Sequence, residues 1–156
     1  MIEVEEMETQ EVHGLLERAG YGHLGCARDN RPYVTPIHYA YDDPDIYIFT
    51  TEGMKTEFIA ANREVCLQVE EVVDAANWKS VIATGKAELL TAQEEMEHAM
   101  QHITKANPAL TPALNKMWVD SWGRASNITL YRIRPDMISG RKTTGTRDTQ
   151  SPPDDK

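Results

Sequence analysis

The sequence predicts a mainly β protein with flanking helices, built around a six-stranded antiparallel barrel. Six runs have the apolar or alternating pattern of strands, and few helical segments remain to cover them. Turn residues separate the first three runs at hairpin spacing, with Asp29-Asn30 tolerating the positive φ of a tight turn. The six runs are Tyr21–Arg28, Pro32–Tyr41, Ile46–Thr51, Val65–Glu70, Ser80–Leu90 and Asn127–Arg134.

Four segments carry helix signals. Val12, Leu15 and Leu16 recur at helical spacing, and Gly20 is a plausible C-terminal cap. The other three are a short helix from about Met54 to Asn62, a helix from the capping box Thr91-Ala92-Gln93-Glu94 to about Lys105, and a helix that begins at Thr111-Pro112.

The length of 156 residues fits a single domain. From Arg141 onward the chain consists of Thr, Asp, Pro, Lys and similar residues, with almost nothing apolar to bury. We therefore expect one folded domain over residues 1–140 and a disordered tail over residues 141–156. Pro135 is expected to end the regular pairing of the last strand.

Charge and composition exclude several classes of partner. Sixteen basic and twenty-five acidic residues give a net charge of −9, which repels nucleic acid and anionic lipid. No run approaches the ~18–20 apolar residues of a membrane span. The first eleven residues carry glutamates where a signal peptide would carry lysines. Cys26 and Cys66 read as buried free thiols, so we expect a cytoplasmic protein without membrane or nucleic-acid partners.

The segment Phe49-Thr50-Thr51-Glu52-Gly53-Met54-Lys55-Thr56 has the features of an anion site. A strand ends in two hydroxyls, and the chain then turns into a helix whose first turn carries Lys55. Free N–H groups and the positive end of the helix dipole attract anions at such a point. The spacing is not that of a P-loop. The alternative interpretation is a turn with an ordinary surface lysine.

Pro36 interrupts the second strand, where it removes one hydrogen-bond donor. The strand is therefore expected to be an edge, or to face a ligand, at that point. Val34 and His38 share the face of Pro36, and Thr35 and Ile37 lie on the other face. A flat heteroaromatic ligand could pair with the free backbone groups. A plain edge strand with a core or surface histidine explains the pattern equally well.

Two further features have competing interpretations. Trp78 stands at the mouth of a strand, where it is either a core residue or a contact to a ring or an interface. Glu94, His98 and His102 stand four apart on a helix, as metal ligands do, but we interpret them as a solvated face opposite the buried one. A zinc site would also need a partner elsewhere, so no metal site is expected. The buried face is formed by Met96, Ala99, Met100 and Ile103.

Taken together, these segments resemble the pyridoxamine 5′-phosphate oxidase-like, FMN-binding split-barrel superfamily, from the first helix to about Arg141. The branch that looks most similar includes nitroimidazole-resistance proteins and flavin-nucleotide-binding proteins. The resemblance rests on the order of Gly22-His23-Leu24-Gly25, Arg31-Pro32-Tyr33-Val34-Thr35-Pro36-Ile37, Ile46-Tyr47 through Gly53-Met54-Lys55, Asn62-Arg63-Glu64-Val65-Cys66, and Ser80-Val81 with Gly85-Lys86-Ala87-Glu88.

The resemblance implies a homodimer of split barrels with two FMN sites at the interface. By position, the isoalloxazine ring would lie along the second strand, the ribityl phosphate at the end of the third strand, and the remaining contacts would come from the other subunit. The implied residues are Thr35, Pro36, Ile37 and His38 for the ring, Thr50, Thr51, Met54 and Lys55 for the phosphate, and Trp78 and Ser80 from the partner.

The chain also departs from its relatives. Pyridoxamine phosphate oxidases carry Ser-Arg-Lys where this chain has Met54-Lys55-Thr56, so one phosphate-binding cation is missing. Their C-terminal substrate-binding segment has no counterpart after Asn127. The nitroimidazole branch often has a histidine where this chain has Phe49-Thr50. These differences argue against oxidation of a vitamin B6 phosphate and against drug reduction.

The resemblance therefore implies an FMN-dependent oxidoreductase that passes electrons from a nicotinamide or similar donor to a small organic acceptor. The flavin carries such chemistry, so no catalytic side chain needs to be visible. The alternatives are a non-catalytic protein that stores flavin or binds haem, with His38 as the haem ligand, and a structural dimer with an empty pocket.

Overall fold

The computed structural model describes residues 2–108 and 128–144, which form seven strands and three helices. The strands are β1 (Glu3–Glu6), β2 (Tyr21–Arg28), β3 (Arg31–Asp42), β4 (Asp45–Thr51), β5 (Glu64–Asp74), β6 (Asn77–Leu89) and β7 (Ile128–Thr144). The helices are α1 (Thr9–Ala19), α2 (Met54–Ala61) and α3 (Gln93–Ala106). The helix predicted from Thr111-Pro112 lies outside the described residues.

Six strands form an antiparallel ring in the order β7-β4-β3-β2-β5-β6, and β6 closes the ring by pairing with β7. The seventh strand, β1, adds to the far end of β7. All six strands predicted from the sequence are present in the ring. The expected mainly β fold with an antiparallel, partly closed barrel is therefore confirmed.

The last strand is longer than predicted. Pro135 does not end it, because the proline lies beside a bulge: Thr84 of β6 pairs with Met137 and Gly85 pairs with Pro135, so Asp136 of β7 is the extra residue, and a missing N–H is tolerated there. Gly85 approaches the chain closely there, since a Cβ would lie 2.5 Å from the carbonyl oxygen of Arg134. The expectation of a tail from Arg141 is corrected accordingly: 141–144 belong to β7, and 145–156 lie outside the described residues.

The strand β1 was missed, because four residues of which three are glutamates give no burial pattern to detect. It is specified by its partner: Glu3–Glu6 pair with Arg141–Thr144 of β7. Long-range ion pairs hold the same region, with the Nζ of Lys142 lying 2.7 Å from a carboxylate oxygen of Glu11. The opposite charges of the two segments thus explain a strand that local propensity does not predict.

The helix α1 closes one side of the barrel. It ends at Gly20, whose φ of 66° is the left-handed conformation predicted for a C-terminal cap. Leu15 and Leu16 are fully buried in the barrel core. The buried hydroxyl of Tyr39 donates a 2.6 Å hydrogen bond to the carbonyl oxygen of Leu16, and burial raises the pKa of Tyr39 well above its usual range. This hydrogen bond fixes α1 to β3.

The helix α3 covers the opposite side of the barrel. Its buried residues Ala99, Met100 and Ile103 pack on Ala40 and Tyr47 of the β3–β4 hairpin, as its predicted apolar face requires. The capping box predicted at Thr91 is wrong, because the helix begins after Ala92 without a side-chain cap. Tyr39 and Ala40 of β3 and most of β4 are consequently buried on both faces.

Replacing Tyr39 by Phe removes the only side-chain donor to the Leu16 carbonyl oxygen seen in the described residues. We expect the variant to lose about 1–2 kcal/mol of stability and roughly 3–8 °C in melting temperature. Thermal unfolding followed by circular dichroism measures this. Tyr33→Phe, at a tyrosine whose hydroxyl has no partner in the described residues, is the matched control. Equal losses in both variants would contradict the role assigned to the hydrogen bond.

A chain that ends at Gly140 loses the pairing of β7 with β1 and the contact of Thr143 with Trp78. We expect its melting temperature to fall by roughly 5 °C or more. A chain that ends at Thr144 lacks only 145–156, which contain no apolar side chain, and should melt like the full chain. If the shorter chain melted like the longer one, residues 141–144 would not contribute to the barrel.

Candidate functional site

The strands β3 and β4 separate after a short paired segment. Tyr39–Asp42 pair with Asp45–Ile48, and beyond this point β4 follows β7. Over Arg31–His38, β3 pairs only with β2 among the described residues, so its other edge is open. Pro36 lies in this open segment, and the prediction that it marks an edge is confirmed. The split between the two strands exposes backbone donors and acceptors to any ligand that fits it.

The four candidate residues of β3 divide between the two faces of the strand, as alternation predicts. Thr35 and Ile37 are buried toward the barrel core, whereas Pro36 is exposed and His38 is half-buried on the outside. The Nδ1 atom of His38 is buried and has no hydrogen-bond partner in the described structure. The ring of Tyr21 lies 5.2 Å from the imidazole of His38, edge to face. An unpaired buried nitrogen next to an aromatic ring is a feature that a ligand can satisfy.

The two hydroxyls at the end of β4 do not point the same way. Thr50 is buried on the face of Ile46 and Ile48, and its hydroxyl donates to the carbonyl oxygen of Thr51 at 3.2 Å. Thr51 is exposed on the opposite face. Both residues stand beside the split, but the structure does not bring both hydroxyls together.

The helix α2 begins next to this strand end. The N–H of Gly53 donates to the hydroxyl of Thr56 at 3.0 Å, and that hydroxyl donates to the carbonyl oxygen of Gly53 at 2.8 Å. No side-chain acceptor caps the N–H groups that follow, and Met54 is exposed. The first turn of α2 therefore presents free N–H groups close to the split.

Lys55 lies in this first turn, half-buried, and makes no ion pair within the described part of the chain. Its positive charge acts on the thiol of Cys26, near the end of β2. Burial raises the pKa of the Cys26 thiol, the neighbouring Cys66 adds to the rise, and the positive charge of Lys55 opposes it. Lys55 therefore brings an unneutralised cation to the split side of α2.

The outward-facing side chains of β3, β2, β5 and β6 form a continuous surface, which we call the outer face. Its exposed large apolar side chains include Val34 at 66%, Val72 at 59%, Tyr21 at 46% and Ile82 at 45%. These are side chains that a second protein surface could cover. The strand register aligns the outer face in rows, which are Pro36, His23, Gln68 and Ile82, and next to it Val34, Gly25, Cys66 and Thr84.

Trp78 and Ser80 lie on β6 and face the same side of the sheet. Two strands, β2 and β5, separate β6 from β3, so the backbones are about 14 Å apart at a spacing of ~4.8 Å per strand. The hydroxyl of Ser80 accepts a hydrogen bond from Gln68 at 3.1 Å, and the N–H of Trp78 donates to Thr143 at 3.1 Å. Within one chain, the structure does not bring these two residues to the split.

Sequence reasoning missed Tyr21 and His23, whose rings lie 6.0 Å apart beside His38. The alternation of small and aromatic residues in Tyr21-Gly22-His23-Leu24-Gly25 was the available signal, because it places both rings on one face of β2. The solvated face predicted for His98 and His102 is present at His98, which is 51% exposed, and only in part at His102, which is 32% exposed. Both rings lie against Tyr47 of the barrel, at 5.7 and 5.9 Å.

A separate cleft of about 680 Å³ lies on the other side of α2, between that helix and the start of β7. Glu52 and Glu57 line it, and no lysine or arginine does among the described residues. An acidic wall does not suit a phosphate. Its wall also includes Ile128, where the described residues resume, so we assign it no ligand.

Comparison with known families agrees with this geometry. The family model described as pyridoxamine 5′-phosphate oxidase matches residues 8–142. The chain belongs to this family. Its matched segment includes α1, the split between β3 and β4, and nearly all of β7, so the split is part of the shared family fold.

Two individual proteins are also similar to this chain over much of its length. An uncharacterized protein of Rhizobium meliloti is 33% identical over 99 residues, which are 64% of this chain and 66% of that one. A FAD-binding protein of Mesorhizobium loti is 30% identical and has a TM-score of 0.73, over 92% of this chain and 99% of that chain.

Two more distant structures show the fold alone. A candidate 5-nitroimidazole antibiotic resistance protein of Bacteroides thetaiotaomicron is 19% identical, with a TM-score of 0.72 over 92% of this chain and 89% of that chain. A heme binding protein of Mycobacterium smegmatis is 12% identical, with a TM-score of 0.69 over 86% of this chain and 56% of that chain. No helix of the described residues has the length and apolar character needed to cross a membrane.

Proposed function

We propose that this protein binds a flavin nucleotide, FMN in the first place, in the split between β3 and β4, and works as an oxidoreductase. The observation that carries the proposal is the open edge of β3 over Arg31–His38, together with the uncapped start of α2, a helix whose Phe58 ring lies 5.4 Å from that of Tyr33 in the open segment. Membership in the pyridoxamine 5′-phosphate oxidase family supports it, as does the likeness to a FAD-binding protein at 30% identity.

The residues of the split fit a flavin ring. An isoalloxazine carries hydrogen-bond donors and acceptors along one rim, and the backbone groups of Val34, Pro36 and His38, which alternate along the open edge of β3, offer partners for them. His38 contributes a buried nitrogen that has no partner in the described structure. The exposed ring of Pro36 and the neighbouring Tyr21 supply flat apolar contacts.

The start of α2 fits a phosphate. The N–H groups of Met54 and Lys55 and the dipole of the helix favour an anion, and Lys55 adds a full positive charge. Thr51 is exposed and free to donate, whereas the hydroxyl of Thr50 already donates to a backbone carbonyl. We therefore assign the main phosphate contacts to Thr51, Met54 and Lys55. Thr50 would position the end of β4 through its hydrogen bond to the carbonyl oxygen of Thr51.

A homodimer would complete this site. The outer face exposes apolar side chains beside the split, and a ring bound at the edge of β3 would leave one of its own faces open to water. Trp78 and Ser80 lie two strands too far away to reach the ring in their own chain. We therefore propose that they contact the flavin held by a second copy. A permanent dimer of this kind should bury more than about 1,000 Å² in total.

A bound flavin supplies the electron-transfer chemistry. The side chains of this protein would hold the ring, orient it toward a second small molecule and exclude water. We propose a reduced nicotinamide as electron donor and a small organic molecule as acceptor, so that two electrons leave the donor and two reach the acceptor. The expected cytoplasmic location provides both classes of molecule.

The second candidate is a carrier that holds flavin or haem without turnover. The half-buried imidazole of His38 on the outer face favours it, because an imidazole nitrogen can act as an axial haem ligand. The absorption spectrum of the purified protein separates the two, since flavin gives a yellow protein and haem a Soret band. Oxidation of NADH or NADPH by the flavin-loaded protein with an added acceptor then separates an enzyme from a carrier.

Lys55→Ala tests the phosphate site. We expect FMN to bind about ten- to a hundredfold more weakly, because a hydrogen bond to a charged group contributes about 1.5–3 kcal/mol. Riboflavin lacks the phosphate, so its affinity should hardly change. Fluorescence titration with both flavins measures the two effects, and titration with FAD shows which nucleotide binds more tightly.

Lys86→Ala is the matched control for this test, since Lys86 is an exposed lysine on β6 whose Nζ lies 3.9 Å from Glu64. Its removal changes the net charge equally and should leave FMN affinity unchanged. Equal losses for FMN and riboflavin in the Lys55 variant would show that Lys55 supports the fold or the ring, and not the phosphate.

Ile82→Glu tests the dimer. A glutamate on β6, in the same row of the outer face as Pro36, would bury an unpaired charge in the proposed interface, so dimerisation should weaken about tenfold or more. Light scattering at micromolar concentration measures the molar mass. Val73→Glu, an equally drastic change at the exposed tip of the β5–β6 hairpin, is the control and should remain dimeric. A wild-type monomer at that concentration would refute the dimer.

A further inference from the structure

We propose that Asp42, His98 and His102 form a binding site for a divalent transition-metal ion, with zinc as the best fit. The three residues come from two distant parts of the chain, the end of β3 and the middle of α3. Their ligand atoms all lie within 4.8 Å of one another. Asp42 is the further ligand that the sequence alone did not reveal for the two histidines of α3.

Helix geometry and core packing create the site together. His98 and His102 are one turn apart, so their rings lie on the same side of α3, with centroids 4.5 Å apart. The apolar residues of α3 pack on Ala40 and Tyr47, which fixes the rotation of the helix against the β3–β4 hairpin. That rotation turns both imidazoles toward the carboxylate of Asp42.

The distances suit tetrahedral coordination. The Nε2 atom of His98 lies 3.2 Å from Oδ2 of Asp42, and the Nε2 atom of His102 lies 3.4 Å from the same oxygen. In a tetrahedral zinc site with bonds of about 2.0–2.1 Å, neighbouring ligand atoms are about 3.3–3.4 Å apart. Two of the three ligand pairs therefore already have the required spacing, and a small rotation of one imidazole completes the third.

The surroundings hold the ligands without closing the site. Tyr47 packs edge to face on His98 and nearly parallel to His102, at an interplanar angle of 25°, which limits the movement of both rings. The side chains of His98, Asp42 and His102 are 51%, 42% and 32% exposed, so an ion can enter and a water molecule can fill the fourth position. Among the described residues, no lysine or arginine forms an ion pair with Asp42.

The donor set selects the class of ion. Two imidazole nitrogens and one carboxylate oxygen suit zinc and its neighbours among the transition metals, whereas calcium and magnesium prefer oxygen ligands. A bound ion would join α3 to the β3–β4 hairpin. Because the unfolded chain lacks the preformed site, zinc should stabilise the folded protein.

The test uses the full chain, first freed of metal by a chelator. Calorimetric titration with Zn²⁺ gives stoichiometry and affinity, and Co²⁺ gives a visible spectrum that reports tetrahedral coordination. The variants are H98Q, H102Q and D42N, three changes at exposed positions that leave the apolar face of α3 intact. H13Q is the matched control, since His13 faces Asp43 at 3.9 Å but has no second histidine beside it.

We expect one Zn²⁺ per chain, and a loss of affinity of about tenfold or more in each of the three variants, with none in H13Q. A hundredfold excess of Zn²⁺ over its dissociation constant should raise the melting temperature of the wild type by roughly 5–10 °C, and less in the variants. Absence of binding at micromolar Zn²⁺, unchanged binding in all three variants, or equal binding of Mg²⁺ would overturn the proposal.

Discussion

The seventeen residues of β7 impose the constraint on which the rest of the structure depends. Along Ile128–Ile133 this strand pairs with β4 on one edge, along Tyr131–Lys142 it pairs with β6 on the other edge, and along Arg141–Thr144 β1 replaces β4. Because β4 stays with β7 down to Thr51, while β3 stays with β2 up to Arg31, the two hairpin partners must diverge. The open edge of β3 is the result, so the same strand pairing that closes the barrel also creates the candidate site.

Electrostatics distinguish Lys55 from several other cations of this acidic protein. Arg18, Arg132 and Lys142 each lie within 3 Å of a carboxylate oxygen and so have part of their charge neutralised locally. Lys55 has no carboxylate partner within the described residues, although glutamates stand at positions 52 and 57. A positive charge left without a counterion at a helix start, in a chain of net charge −9, fits a site whose anion comes from a ligand.

Sequence periodicity predicted the ring strands, because each of them buries every second side chain in one core. It did not predict β1 or the end of β7, since Glu3–Glu6 and Arg141–Thr144 are held by each other and carry no apolar pattern. The prediction that Pro135 ends the last strand was wrong for a related reason. The proline is tolerated beside a bulge, and the bulge is visible only in the register between β6 and β7. The alternation of side chains along a strand does predict that Thr50 and Thr51 point to opposite faces. The family resemblance had nevertheless implied that both of them contact the phosphate.

The two proposed sites lie at opposite ends of the same hairpin and depend on different structural features. Asp42 is at the closed end of β3, and His38, the nearest residue of the proposed flavin site on this strand, lies four residues away, which is about 13 Å at ~3.3 Å per residue. That distance exceeds the Debye length of about 8–10 Å at ordinary ionic strength, so charge at one site is largely screened at the other. The metal site requires only the packing of α3 on the hairpin, whereas the flavin site requires the divergence of β3 and β4. Zinc binding can therefore be measured whether or not a flavin binds, and failure of either proposal leaves the other intact.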